Sequence, residues 1–439
     1  MADAIYHFPP GFRWGVATAA YQVEGNTTNS QWWQWEQQEG RIADGSRSGM
    51  ACDWWRHAEA DFDAAAAMGL NAMRLSIEWS RIEIAPGRID TAALDRYREM
   101  LRGLQERGIE PMVTLHHFSD PLWLAEQGSW QHIGAIAYYV RFVEIVVKAL
   151  GEFTTLWCTF NEPNVYAYFG YLDGRFPPGM KDFQIARSVL RTMLTAHGKA
   201  YKAIHALQPE ARVGLAHNLR LFDPARPGNP LDRAAAWGQD RTINTATLKA
   251  IWNGRWVLPV GFGPALGLRR TLDWIGLNYY TRNVVKFNRH AQGFGDTVLP
   301  AAAEPLDAGY GELYPAGMAR ALKRVGRLGI PIYITEHGIP DSDDDQRPRA
   351  LLLHLHQMWR AMQDNTPVKG YYHWTLTDNF EWAEGWRSRF GLIELDPATQ
   401  RRTRRPSGDL YAAIARGNAL TTEMVDAYAP EVRPTLYPE

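Results

Sequence analysis

Hydrophobic positions in this chain follow two alternating patterns. Short apolar or β-rich runs, such as Ile-Pro-Ile-Tyr-Ile at 330–334, are separated by longer stretches with apolar residues every three or four positions. The short runs predict eight strands: Phe12–Ala19, Ala72–Ile77, Pro111–His116, Thr155–Phe160, Arg212–Ala216, Trp274–Asn278, Pro331–Thr335 and Gly370–Leu376. Several are nearly continuous in apolarity, as strands covered on both faces of a parallel sheet must be. Between them, Asp90 is a candidate N-cap, and Leu94, Tyr97, Leu101 and Leu104 run at helical spacing to a stop at Gly108. Ile133, Ile136, Val140, Val143, Val147 and Leu150 predict a second helix within 133–150.

Strand and helix alternating eight times close most simply into a (β/α)8 barrel, the TIM barrel. The rival is an open doubly wound sheet, which would carry GxGxxG after a strand. Gly261-Phe-Gly263 is followed by Leu266 where the third glycine is needed. No linker, repeat or low-complexity tract interrupts the pattern. The expectation is one catalytic domain over 1–439, with 418–439 as a C-terminal extension packed on the barrel.

Composition narrows the function. Apolar residues are 46% of the 439, enough for a sizeable core, and 47 basic against 48 acidic residues leave a formal charge of −1. No block of one sign marks a nucleic-acid or anionic-lipid surface, so a small neutral ligand is expected. Cys52 and Cys158 are too few for a disulfide framework or a four-thiolate metal site. The start, MADAIYHFPPGF, lacks the basic and apolar regions of a signal peptide, and no apolar run reaches the ~18 residues of a membrane span. A soluble cytoplasmic protein is the default. The 18 tryptophans exceed what this length needs. Most suit a core, but indole faces also stack on the C–H faces of pyranoses.

Barrel enzymes place their chemistry where strands run into the following loops. Here those ends are polar and aromatic. The first runs into Gln22-Val-Glu-Gly, the third into His116-His117, and the fourth into Asn161-Glu162-Pro163. The sixth ends in Asn278-Tyr279-Tyr280, the seventh in Glu336-His337-Gly338, and the eighth continues through Trp374 to Glu381-Trp382. A lone glutamate at a strand end is usually solvated or salt-bridged. Two of them on the fourth and seventh strands face each other across a barrel mouth. Glycoside cleavage requires such a pair, one protonated toward the leaving oxygen and the other ionised. Their separation, about 5–5.5 Å or roughly 6.5–9.5 Å, distinguishes retention from inversion.

These segments resemble glycoside hydrolase family 1, the β-glucosidase and β-galactosidase family of retaining barrel enzymes. The likeness runs from FRWGVATAAYQVEG through TFNEP, GLNYYT, YITEHG and DNFEW to RFGL near residue 392. It implies retention, with Glu162 as acid/base and Glu336 as nucleophile. Arg74 is then the charge partner of Glu336 and Tyr280 its hydrogen-bond donor. By the same resemblance Gln22, His117, Asn161, Glu381 and Trp382 hold the nonreducing sugar, Trp374 is its stacking floor, and Asn278 supports from behind. A 6-phosphate would meet the carboxylate of Glu381. Cleavage of terminal β-glucosyl, β-galactosyl or β-fucosyl residues is expected, with no cofactor and no metal. The aglycone would be read by 170–180 and 282–312.

Two positions depart from the family pattern: His337 stands where asparagine usually follows the nucleophile, and Trp386 where another aromatic is common. The NSQWWQW stretch at 29–35 resembles archaeal-type members. His354 and His356, two apart on a helix, point to different faces. Asp341–Asp345 lacks the glycine and glutamate of an EF-hand and is expected to be a solvated loop. The arginines of 401–405 are expected on a surface turn. The rival functions are an endo-acting glycanase with the same two glutamates, and a noncatalytic sugar-binding barrel.

Overall fold

All eight expected strands lie in one closed barrel of the computed structural model, which describes residues 5–438. They are β1 (Arg13–Ala17), β2 (Ala72–Ser76), β3 (Glu110–Thr114), β4 (Leu156–Asn161), β5 (Arg212–Asn218), β6 (Trp274–Asn278), β7 (Ile332–His337) and β8 (Val368–Trp374). Each pairs in parallel with its sequence neighbours, and β8 closes onto β1. The main outer helices are α1 (Trp54–Ala67), α2 (Thr91–Glu106), α3 (Ala135–Leu150), α4 (Phe183–Leu207), α5 (Ala246–Asn253), α6 (Ala316–Gly326), α7 (Arg347–Gln363) and α8 (Pro406–Gly417). This is the expected TIM barrel.

Local chemistry sets these elements. Asp90 caps α2 by accepting from the amides of Ala92 and Ala93, and Leu94, Tyr97, Leu101 and Leu104 form its buried face. The α3 pattern is shorter than its periodicity implies. Ile133 precedes the helix and is 71% exposed, while Tyr139, Phe142 and Val146 join the buried stripe. Strand ends also move: β5 runs on to Asn218 and β7 to His337, and β8 stops at Trp374. Most tryptophans are core, with Trp14, Trp32, Trp79, Trp130, Trp157 and Trp274 almost fully buried.

The C-terminal segment packs against the start of the chain. Ala419–Thr421 pairs antiparallel with Ile5–His7, and Tyr437 stacks on Tyr6 at 4.8 Å. Asn418, left-handed at the end of α8, accepts from the Trp14 indole and donates to the Phe8 carbonyl. Residues 1–4 and 439 lie outside the described part. Among the described residues no helix is long and apolar enough to cross a membrane.

Two expected surface segments are so only in part: Arg401, Arg404, Asp343 and Asp345 are exposed, while their neighbours are tied into the fold. Arg405 is buried and bonds both oxygens of Asp378 at 2.9–3.0 Å, and Arg402 clamps Asp61. In the acidic loop, Asp341 accepts from the first amides of α7, and Asp344 pairs with Arg347 and accepts from Ser407. Solvation is too weak an alternative for carboxylates that sit beside orphan helix amides and a buried arginine.

Candidate active site

Irregularities in the barrel put the chemistry in place. The register shifts between Cys158 and Asn161 on β4, between Leu277 and Asn278 on β6, and between Ile334 and His337 on β7. Bulges at a barrel rim turn side chains that regular pleating would send elsewhere. Glu162 follows at φ 44°, a left-handed conformation that costs a non-glycine residue energy, and Pro163 then starts a short helix. Trp382 has φ 54°. Both strained residues face one cavity of about 920 Å³ over the C-terminal ends of the strands.

Glu336 and Glu162 both line that cavity and are almost sealed from solvent. Arg74 holds Glu336 Oε1 at 2.6 Å, and the Tyr280 hydroxyl donates to Oε2 at 2.7 Å. Arg74 also donates to Thr114 Oγ1 (3.0 Å) and Asn161 Oδ1 (2.7 Å), which fixes its orientation. Glu162 Oε1 accepts from Asn278 (2.7 Å) and Asn218 (2.9 Å). The Asn278 amide also donates to Asn161 Oδ1 at 3.1 Å.

The two carboxyls differ in charge partners. Burial, and then the charge of Glu336, push Glu162 up to about 8. Burial also raises Glu336, against the pull of Arg74 and Tyr280. Only Glu336 carries a direct cation contact. Glu162 is therefore the group that keeps its proton at neutral pH.

At the inner end, His117 accepts from Asn161 at Nε2 (2.9 Å), so its proton sits on Nδ1, which has no partner. Burial and the nearby Arg74 hold its pKa well below the usual value, so the ring is neutral. Gln22 donates to Glu381 (2.9 Å), Asn379 and the Phe380 carbonyl, leaving its own Oε1 unpartnered. Trp374, Glu381 and Trp382 join His117 on the cavity wall, while Gln22, Asn161, Asn278 and Arg74 stand behind it. Trp32 and Tyr21 pack on Trp382 at 4.9 and 5.7 Å.

Glu381 differs from its expected state. Burial, opposed by Gln22 and reinforced by Glu336, pushes it up to about 8. Near neutrality it is mostly protonated, so charge alone does not set it against a phosphate.

His337 points away from the reaction centre. Its Nδ1 pairs with the Tyr371 hydroxyl (2.7 Å), and its ring packs at 4.3 Å from His354. Burial, His354 and His373 keep it neutral, so it supplies no charge to Glu336. Trp386 does not line the cavity. It donates to Asp44 through its amide and to the Arg47 carbonyl through its indole. Asn218 lies beyond Ala216, where the expected fifth strand ends, and the structure carries that strand on to it. The polar pair His217-Asn218 at that strand's end was the available signal.

The outer cavity is walled by parts of 170–180 and 282–312 and by a further helix, Pro230–Asp240. That helix packs on a small sheet of Leu221–Pro224, Arg282–Phe287 and Gly295–Val298.

The chain is similar over its length to known enzymes. It is 32% identical to β-glucosidase A of Thermotoga maritima, over 95% of this chain and 99% of that protein. It is 30% identical to the β-galactosidase of Pyrococcus woesei, over 95% and 98%. The solved β-glycosidase of Pyrococcus horikoshii superposes with a TM-score of 0.89 at 35% identity, covering 97% of this chain and 98% of that one. The model of glycosyl hydrolase family 1 matches residues 5–259 and 264–420. With this match and these relatives, the chain is a glycoside hydrolase acting on O-glycosyl bonds and belongs to glycosyl hydrolase family 1.

Proposed function

We propose that this β-glycosidase removes terminal nonreducing β-glycosyl residues, glucosyl and galactosyl first among them, by double displacement with retention. The observation that carries the reading is the asymmetry of the two buried acids. Glu336 is held by Arg74 and Tyr280, and Glu162 is pushed to about 8 with only neutral amides on it.

In the first step Glu336 attacks the anomeric carbon and the glycosidic C–O bond breaks. The Glu162 proton passes to the departing oxygen, leaving a glycosyl ester on Glu336. Esterification removes the charge that helped raise Glu162. Its pKa falls, and it takes a proton from the water that attacks the same carbon and frees Glu336. Exo action is supported by the inner end, where Gln22, Glu381, Trp382 and Trp32 pack together and close the cavity. The unpartnered Nδ1 of His117, on the cavity wall, suits a sugar hydroxyl. Relatives of nearly equal identity act on glucosides and on galactosides, so both sugars belong in the reading.

Proton NMR of an aryl β-glucoside during hydrolysis tests it, with the β-anomer as the expected first product. Glu336→Gly should be inactive and should form the α-glycosyl azide when azide is added. First release of the α-anomer, or a β-azide, overturns the double displacement.

A further inference from the structure

The two ends of the cavity differ in chemistry. Sites of ~300–1,000 Å³ hold whole drug-sized ligands, so a cavity of about 920 Å³ has room beyond one hexose. At the inner end, polar atoms wait without partners. Along the outer part the walls are Phe169, Leu172, Phe222, Leu231, Phe287 and Phe294. Leu231 is 52% and Phe294 64% exposed, so the apolar lining continues to the rim.

Several of the polar side chains there are tied to partners in the protein. Arg175 pairs with Asp173 and stacks on Phe169, and Arg220 donates to Asn283. Gln239 donates to the Gly295 carbonyl, Gln292 to that of Leu172, and Thr242 to that of Gly238. A second sugar would bring many hydroxyls against this run of phenylalanine and leucine side chains, and desolvating them unpaired is costly.

We propose that the outer cavity selects an extended apolar aglycone, an alkyl chain or a linked aryl group, in preference to a second sugar. This rests on the reading of the inner end as the site of the terminal sugar. The apolar group runs from Glu162 between Phe169 and the small sheet, over Phe222 and Phe287, and leaves past Leu231 and Phe294. Leaving-group acidity hardly changes along an alkyl series, so a rise with chain length reports burial.

The test is kcat/KM of the full-length protein for methyl, butyl, hexyl and octyl β-D-glucosides below their micellar concentrations, and for cellobiose. Each fully buried methylene is worth up to ~4-fold, and ordering costs take back part of it. Octyl should exceed butyl by at least ~10-fold and should also exceed cellobiose. Leu231→Asp and Phe294→Asp, both at exposed rim positions, should cut the octyl-to-methyl ratio several-fold. Phe222→Ser should cut it further. A flat series, or cellobiose faster than octyl glucoside, overturns this proposal while leaving the retaining mechanism intact. If only galactosides react, the same series is read on galactosides. If neither sugar series nor any aryl glycoside reacts, the proposed function fails and this proposal with it.

Discussion

Arg74 and Glu336 meet at 2.6 Å at the base of the cavity, the arginine fully buried and the acid nearly so. Arg74 also holds Asn161, so one guanidinium fixes a charge and an amide together. Removing one partner of a buried pair typically costs ~3–5 kcal/mol, because the remaining charge has no compensation. Glu336, already raised by burial, would then be raised further. Arg74→Met should lower kcat/KM at least ~100-fold, shift the acid limb of its pH profile upward and reduce Tm. Arg74→Lys keeps the charge but not the fork, and should fall between. Near-wild-type kcat/KM in Arg74→Met would rule out this support for Glu336.

In the proposed mechanism Glu162 governs the basic limb. Its protonated form is the donor and its pKa is pushed up to about 8, so kcat/KM should be present below that value and lost as pH rises through it. The charge of Glu336 is the second cause of the shift, so Glu336→Gln should lower the Glu162 pKa while burial keeps it above the ordinary range. The carboxyl C=O stretch in infrared difference spectra, or carbon NMR of labelled glutamate, reads this without turnover. An unchanged Glu162 titration in Glu336→Gln would show that the two acids are not coupled.

The barrel and most of this site were legible because their signals are local. Strands buried on both faces read as apolar runs, and the strand-end residues Asn161, Glu162, Asn278 and Glu336 break those runs at the rim. Long-range pairing was not legible. Nothing near Arg405 announces Asp378, 27 positions away, so its run of arginines read as a surface turn. Nor does local sequence show that burial and Glu336 bring Glu381 to about 8. The helix Pro230–Asp240 has an ordinary amphipathic pattern, and its place at the cavity follows from tertiary packing on the small sheet.

His337 tests whether an unusual neighbour of Glu336, the proposed nucleophile, alters it. The ring is neutral and is tied to Tyr371 and His354 on the far side of β7. His337→Asn should leave both limbs of the pH profile in place. It should cost ~1–2 kcal/mol of stability from the lost hydrogen bond and packing, measured by denaturant unfolding. A displaced acid limb would mean that the histidine acts on Glu336.

Arg405 tests how the inner end is held. Asp378 accepts from Arg405 and from the amides of Gly391 and Leu395, and this ties down both ends of the segment that carries Glu381 and Trp382. Arg405→Met leaves buried Asp378 with only the longer Arg389 contact at 3.7 Å, and the expected loss is ~2–3 kcal/mol. The loosened segment should raise KM for an aryl glucoside more than it lowers kcat, because the proposed chemistry rests on Glu162 and Glu336 from other strands. Asp378→Asn/Arg405→Met should recover part of the stability, since the buried charge is then gone from both sides. A variant Arg405→Met with wild-type Tm and KM would show that this pair does not position the sugar-facing segment.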